Sequence, residues 1–531
     1  MRLKKLTAVI PIALTAALLT ACGSGSDGAA AQAGGTLKFG GTVPDCADPH
    51  QRGNNPNSYA LKPLADSLLA QNLKTGEYLP WLATKYEVSA DAKDFTFTLR
   101  DDVTFSDGEK LDAQAVADNF DGIKKLGAAA SLAIGYLNDY QRSEVVSPDK
   151  VVVHFSKPNI AFLQGTATGN LAIVAPKTSA QTAEERCAKG AIGSGPFVVT
   201  KYVPSETLTY KKRKDYAWGN PLAKNQGAAH LDGLEIVNIK DTAVLAGSLL
   251  SGQIDAYSVV LPQDASRIEG AGGKVLTTTN AGYPVALVPN VKGTVFSDPA
   301  VRQAVQIGFD RKAAIDGVIG DWFHASESAL STSTVGFKSQ GDALSYQPDK
   351  ARTLLDDAGW KVGAGGIREK DGKKLSFDVT WDSDWNATSS VLAIVKEQLK
   401  EIGVELTINL LPTGQAASVY DSGKFSARWV NGYTPEPDTL RAILSIDANN
   451  WLERAGREKL DDLLSDQLQA VDVTKRNGIL AEIQKTVIDE GYLIPIYDWA
   501  QSFAVSSKVQ GAKLAYLSGP GPLYADISLS K

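Results

Sequence analysis

Pro80 to Lys125 reads PWLATKYEVSADAKDFTFTLRDDVTFSDGEKLDAQAVADNFDGIKK. Its centre, Phe95-Thr96-Phe97-Thr98-Leu99-Arg100, alternates apolar and polar side chains, the period of a strand with one buried face. Asp101-Asp102 and Asp107-Gly108 supply turn formers on either side of a second short strand expected from Val103 to Ser106. Asp112 then stands where an N-cap belongs, and Val116, Phe120 and Ile123 share one face of the helix it opens. Leu111, before the cap, is placed to staple onto Val116. Strand, hairpin and helix are all specified locally, and their physics assigns no function.

The residue order says more. Pro80-Trp81-Leu82-Ala83, Glu87-Val88-Ser89, Phe97 with Leu99-Arg100-Asp101, Val103, Phe105, Asp107-Gly108, Leu111, Ala113, Val116 and Phe120 follow one another without a gap. This order resembles the signature segment of the extracytoplasmic solute-binding proteins of family 5, the peptide, nickel and related receptors of ABC importers. The resemblance continues through Gly34–Gly41, Pro44–His50 (where Ala47 replaces a leucine), Val145–Ser156, Gly193–Trp218, Leu231–Tyr257, Val295–Ile319 and Tyr492–Val509. It covers about Gly35 to Gly511. It implies an α/β, two-lobed periplasmic-binding-protein-like fold of the large cluster C type, with a ligand cleft between the lobes and an extra subdomain in the first. The implied boundaries are 35–280 for the first lobe (subdomain about 60–180), 281–492 for the second and 493–531 for the return. Hinge strands are expected near Asn280 and Leu493.

Local signals agree with that outline. Asp241 caps a helix that ends before Gly252, and Asp298-Pro299 gives another helix its cap and first residue. Pro348 to Gly359 is a helix with proline first and glycine last, and Ser389 to Ile402 carries Leu392, Val395, Leu399 and Ile402 on one face. Phe377–Trp381 and Val404–Leu410 read as strands.

The chain has 531 residues, too many for one core. A net charge of −6 argues against nucleic acid as a partner, since phosphate binding needs a basic face. Arg2, Lys4 and Lys5 precede an apolar run from Leu6 to Leu19, the pattern of a signal segment over 1–21. Leu19-Thr20-Ala21-Cys22 resembles a bacterial lipobox, which implies lipidation of Cys22 and a flexible tether over 22–34. The alternative is plain secretion after cleavage near Ala21. The expected location is extracytoplasmic, anchored by lipid to the cell membrane. Cys46 and Cys187 then remain as an even pair, 141 residues apart, in an oxidising compartment. Either they form a disulfide or they are two buried free thiols.

No G-x-S-x-G, P-loop, G-x-G-x-x-G, H-E-x-x-H or C-x-x-C occurs, and Gly193-Ser194-Gly195 lacks the glycine a nucleophile elbow needs. His50, His154, His230 and His324 are scattered, which reads as structural. The chain is therefore expected to be no enzyme, with no cofactor and no metal site. Lobe closure on a solute requires contacts from both lobes. From the first, Asn54, Asn55, Asn57 and Tyr59 are the candidates; from the second, Trp381, Asp384, Trp385, Asn386, Asn431 and Tyr433, with Trp499 near the return crossing. Peptide-binding members place an aspartate, which pairs with the peptide's amino group, where Gly432 stands in Arg428-Trp429-Val430-Asn431-Gly432-Tyr433. A peptide ligand would need another acid, for which Asp384 and Glu436 are candidates. So few histidines argue against bare nickel. The expected function is an ABC-importer receptor that captures an oligopeptide or peptide-like solute and works as a monomer with permease subunits and their cytoplasmic ATPase. The alternatives are a ligand-presenting sensor, or binding of an opine, sugar or metal chelate.

Overall fold

The computed structural model describes residues 34–51, 59–381, 387–514 and 521–530. The quoted stretch forms the strand Asp94–Leu99 and the helix Ala113–Leu126. Asp112 caps that helix by accepting from the Ala115 N–H at 2.8 Å. Val116, Phe120 and Ile123 are fully buried beneath it. The expected second strand is reduced to an isolated bridge between Thr104 and Lys110. The Phe105 N–H donates to the Glu109 carbonyl at 2.8 Å, so the chain turns back before a strand can extend.

Ala83–Val88, Asp94–Leu99, Lys150–Phe155 and Tyr140–Ser147 make a four-stranded antiparallel sheet in that order. Its core is aromatic: Phe162 meets Phe95 edge-on at 5.0 Å and lies 4.9 Å from Phe155. Each such ring, fully buried, contributes roughly 1.5–3 kcal/mol.

Two larger sheets carry the rest of the architecture. The first has seven strands, in the order Lys274–Thr279, Ala500–Val505, Ala256–Ser258, Thr36–Gly41, Gly233–Asn238, Thr207–Lys212, Phe197–Val203. The second has six: His324–Ala325, Ile494–Asp498, Val285–Pro289, Ala427–Val430, Ser376–Trp381, Glu405–Leu410. Helices capped by Asp241 and Asp298 form as the sequence predicts, starting at Thr242 and Pro299. Leu392, Val395, Leu399 and Ile402 all pack into the second sheet's core.

Cys46 and Cys187 are joined in a disulfide. It ties the helix Ala183–Lys189 to the loop at Asp48 and His50, where Arg186 is fully buried. The Arg186 guanidinium can only donate, so His50 Nδ1 accepts it at 3.2 Å. His50 Nε2–H then donates to the Ala172 carbonyl at 2.7 Å.

Asp66 is buried at the junction of the small and large sheets, accepting from Tyr216 Oη–H and Trp218 Nε1–H, each at 3.1 Å. Burial pushes its carboxyl up to about 8, against those donors and the field of Arg213. The native state therefore holds a proton that the unfolded chain, with an aspartate near about 3.9, gives up. Stability should fall as pH rises from about 4 to about 8, and Asp66→Asn should flatten that slope. Urea unfolding of both proteins across the interval checks it; parallel slopes would contradict the assignment.

Candidate functional site

The chain passes between the two large sheets at 280–284 and again at Trp499. The second passage lies beyond Leu493, where the sequence placed it, because Ile494–Asp498 still pairs with Val285–Leu287 in the second sheet. The passages run side by side: the Asn280 N–H donates to the Trp499 carbonyl at 2.8 Å.

A loop from Ser331 to Thr334 braces them. Thr334 Oγ1 accepts from the Gly282 N–H at 2.8 Å, and Ser333 Oγ–H donates to the Thr279 carbonyl at 2.9 Å. Asp498 is buried beside this loop and accepts from Ser326 Oγ–H at 2.8 Å and from the Thr332 N–H and Oγ1–H at 2.9 Å each. Burial raises its pKa, with those three donors opposing the rise.

Gly282 sits at φ +126°, and a Cβ there would come within 2.2 Å of the Gly432 carbonyl oxygen. A Cβ on Gly432 would in turn lie 2.2 Å from Cε1 of Tyr283. The residue at 432 thus has no room for any side chain, an aspartate included. Gly432→Ala should cost about 1–3 kcal/mol through overpacking. Thermal unfolding checks this; an unchanged midpoint would show that the Tyr283 ring yields freely.

The sequence-derived candidates distribute unevenly around this crossing. Tyr59 is buried, stacked on Phe39 at 5.9 Å and on Phe503 at 6.3 Å, and its hydroxyl donates to Gln501 Oε1 at 3.3 Å. Trp499 is half-buried and meets Phe323 edge-on at 5.8 Å. Asn431 is exposed and Tyr433 half-buried, on the loop that packs against Ala281 to Tyr283. Trp381 is 1% exposed in the core of the second sheet, a packing residue whose indole N–H has no partner among the described residues. Asn54, Asn55, Asn57, Asp384, Trp385, Asn386 and Cys22 lie outside the described residues.

Glu436, proposed from sequence as a spare acid, is already committed. It is buried and paired with Arg476, and Arg476 Nη2–H also reaches Gln467 Oε1 at 2.7 Å. Neighbouring Asp438 takes a two-pronged contact from Arg441, Nε–H at 2.8 Å and Nη2–H at 2.6 Å. Burial raises the Asp438 pKa and Arg441 opposes it. An ammonium brought to Glu436 would have to displace a guanidinium.

Two amides at the crossing escaped sequence reasoning. Thr278 stands opposite Gln501, whose Oε1 accepts from the Tyr59 hydroxyl, and the Asn280 N–H donates to the Trp499 carbonyl. Asn280 Oδ1 and Gln501 Nε2 are buried and have no hydrogen-bond partner among the described residues. Such orphaned groups are costly unless something meets them. The available signal was Gln501, an amide in the buried strand Ala500–Val505.

Away from the crossing the two halves touch again. The Ile160 N–H donates to the Leu468 carbonyl at 3.0 Å. Burial pushes the Tyr78 hydroxyl pKa up, with the charge of Glu436 raising it further and that of Arg476 opposing. An open depression of about 670 Å³ beside His324–Ala325, bordered by Arg311, Glu327 and Lys485, lies on the second sheet's edge. Its lining residues come from the second half alone.

Two sheet-based halves are joined by paired crossings and touch again at a distance, at Ile160 and Leu468. The chain belongs to the bacterial extracellular solute-binding proteins, family 5, whose family model matches residues 77–451. Members of that family bind peptides or other small solutes, work with ABC permeases, and are transport proteins rather than enzymes. The nickel-binding periplasmic protein of Escherichia coli (strain K12) is 25% identical over 460 residues, covering 83% of this chain and 85% of that protein. Among solved structures, NikA from Brucella suis in complex with Fe(III)-EDTA shares the fold at a TM-score of 0.80 and 22% identity, over 93% of this chain and 100% of that one. The oligopeptide-binding protein AppA from Bacillus subtilis, in complex with a nonapeptide, does so at 0.74 and 20% identity, over 94% and 100%. No helix among the described residues is long and apolar enough to cross a membrane.

Proposed function

We propose that this chain is the extracytoplasmic receptor of an ABC importer, closing its lobes on an oligopeptide or peptide-like solute and presenting it to the permease. The observation that carries the reading is the paired crossing at Asn280 and Trp499, with orphaned amide groups on its face. A solute that meets groups on both halves stabilises the closed state by its differential affinity alone. Asn431, Tyr433 and Trp499 are the described side chains assigned to that role, while Tyr59 is packed into the first sheet's core. The first lobe is assigned to about 35–279 with the return strands, and the second to about 285–498.

The receptor is assigned as a monomer without catalytic activity, held to the membrane through lipid on Cys22. Cys22→Ser should release it into the soluble fraction; continued anchoring would contradict the lipid. Native mass spectrometry of the freshly purified protein, alone and with a tripeptide pool, tests the ligand class. A single bound mass per chain, returned unmodified on denaturation, is expected. Turnover of the peptides, or no retained mass from any of them, would contradict the reading.

A further inference from the structure

The four-stranded sheet and the hairpin beside it hold the second half at two separate points. The hairpin pairs Leu69–Gln71 with Tyr78–Pro80 and turns tightly between them, the Gly76 N–H donating to the Asn72 carbonyl at 2.7 Å. A Cβ on Gly76 would come within 3.1 Å of Cγ1 of Val335, so the hairpin tip lies on the loop that braces the crossings through Ser333 and Thr334. The second point is the Ile160 N–H, which donates to the Leu468 carbonyl at 3.0 Å. Both faces are firmly backed. Leu68 and Leu69 are fully buried in the aromatic core, and Leu468 follows Gln467, which is bonded to Asp438 and Arg476. Burial works against the charge on Arg441, yet Asp438 and, from the first half, Asp139 raise its pKa, an attraction that acts between the halves.

We infer that the hairpin tip at Gly76 and the turn at Ile160 form a clasp on the second half, which keeps part of the receptor population closed before any solute arrives. A clasp has meaning only if the lobes open and close, and so depends on the proposed function. Carrying the second half away from the small sheet separates Gly76 from Val335 and leaves the Ile160 N–H to find water in place of Leu468. The contacts act on the open–closed equilibrium whatever the solute. A receptor whose closed state is already populated binds more tightly than one that the solute alone must close.

Leu132→Cys and Val473→Cys, at exposed positions, place spin labels on either side of the clasp in the full mature protein. Leu132 lies in the helix whose Tyr136 carbonyl accepts from Asn159 Nδ2–H at 3.0 Å, and Val473 opens the helix that follows Leu468. Distances are measured in the stripped protein and with a tripeptide pool. Ile160→Pro removes the donor at the second residue of a turn, a position that proline suits. Val335→Ala withdraws the other contact. The stripped wild-type protein should show a short-distance population beside a long one. In each stripped variant the ratio of short to long should fall about fivefold, with peptide binding weakened by up to the same factor. Saturating peptide should return both variants to a single short distance, as folded proteins. No short population in the stripped wild-type protein, or an unchanged ratio in both variants, overturns the inference; shortening by peptide then leaves closure standing, with these contacts a fixed part of the pivot. No shortening by peptide in the wild-type protein rejects closure and the clasp with it.

Discussion

Arg476→Ala is expected to lower the free energy of unfolding by about 3–5 kcal/mol. Glu436 is 3% exposed, and without Arg476 its carboxylate keeps the Asp438 N–H at 3.1 Å as its described donor. Gln467 loses its contact at the same time, so the chain of groups leading to Asp438 and Arg441 loosens. Denaturant unfolding measures the loss. Adding Glu436→Gln to the same protein should recover part of it, since the uncompensated charge is then gone. A loss below about 1 kcal/mol, the range of exposed pairs, would mean that water reaches Glu436 readily.

Removing the disulfide is expected to have a comparable effect. The double substitution Cys46→Ser, Cys187→Ser should cost about 2–5 kcal/mol. The bond closes a long loop, which restricts the unfolded chain, and it anchors the helix that inserts Arg186 between Asp48 and His50. Losing the tether frees a buried guanidinium whose Nη2–H donates to the Ser179 carbonyl at 2.8 Å. The wild-type protein under reductant should shift by the same amount as the double variant. A midpoint indifferent to both changes would show that the helix is held by packing alone.

Much of the first half was legible because its signals are local. Asp112, Asp241 and Asp298 each precede an apolar stripe within a few residues, and each caps the helix expected of it. Alternation marked Asp94–Leu99 equally well. Tight turns were less readable: Val103 to Ser106 has strand composition, but the Phe105–Glu109 hydrogen bond closes the chain first. Sheet order was invisible, since Ala256–Ser258 lies between Thr36–Gly41 and Ala500–Val505, partners far apart in the chain. The return crossing lies a few residues beyond Leu493 because Ile494–Asp498 still pairs with Val285–Leu287, a tertiary pairing that local pattern does not show.

The site was harder for the same reason. Glu436 is visible as an acid in the sequence, but its commitment to Arg476 is a tertiary fact. Gly432 is visible as a missing aspartate, while the cause is a tyrosine ring from the other passage. Trp381 has the composition of a cleft wall and the burial of a core residue, a distinction that periodicity alone does not draw. Gln501 drew no notice because an isolated amide in a strand is commonplace.

Closure on a solute is the central claim, and an interlobe distance tests it most directly. Leu132 and Val473 are exposed, one beside the small sheet and the other at the start of the helix that carries Arg476. Spin labels on cysteines placed at these two positions report the separation of the halves by pulsed electron resonance. With the tripeptide pool at saturation, the distribution should shorten and narrow relative to the stripped protein. An identical distribution with and without bound peptide would contradict closure as the means by which this protein holds its solute.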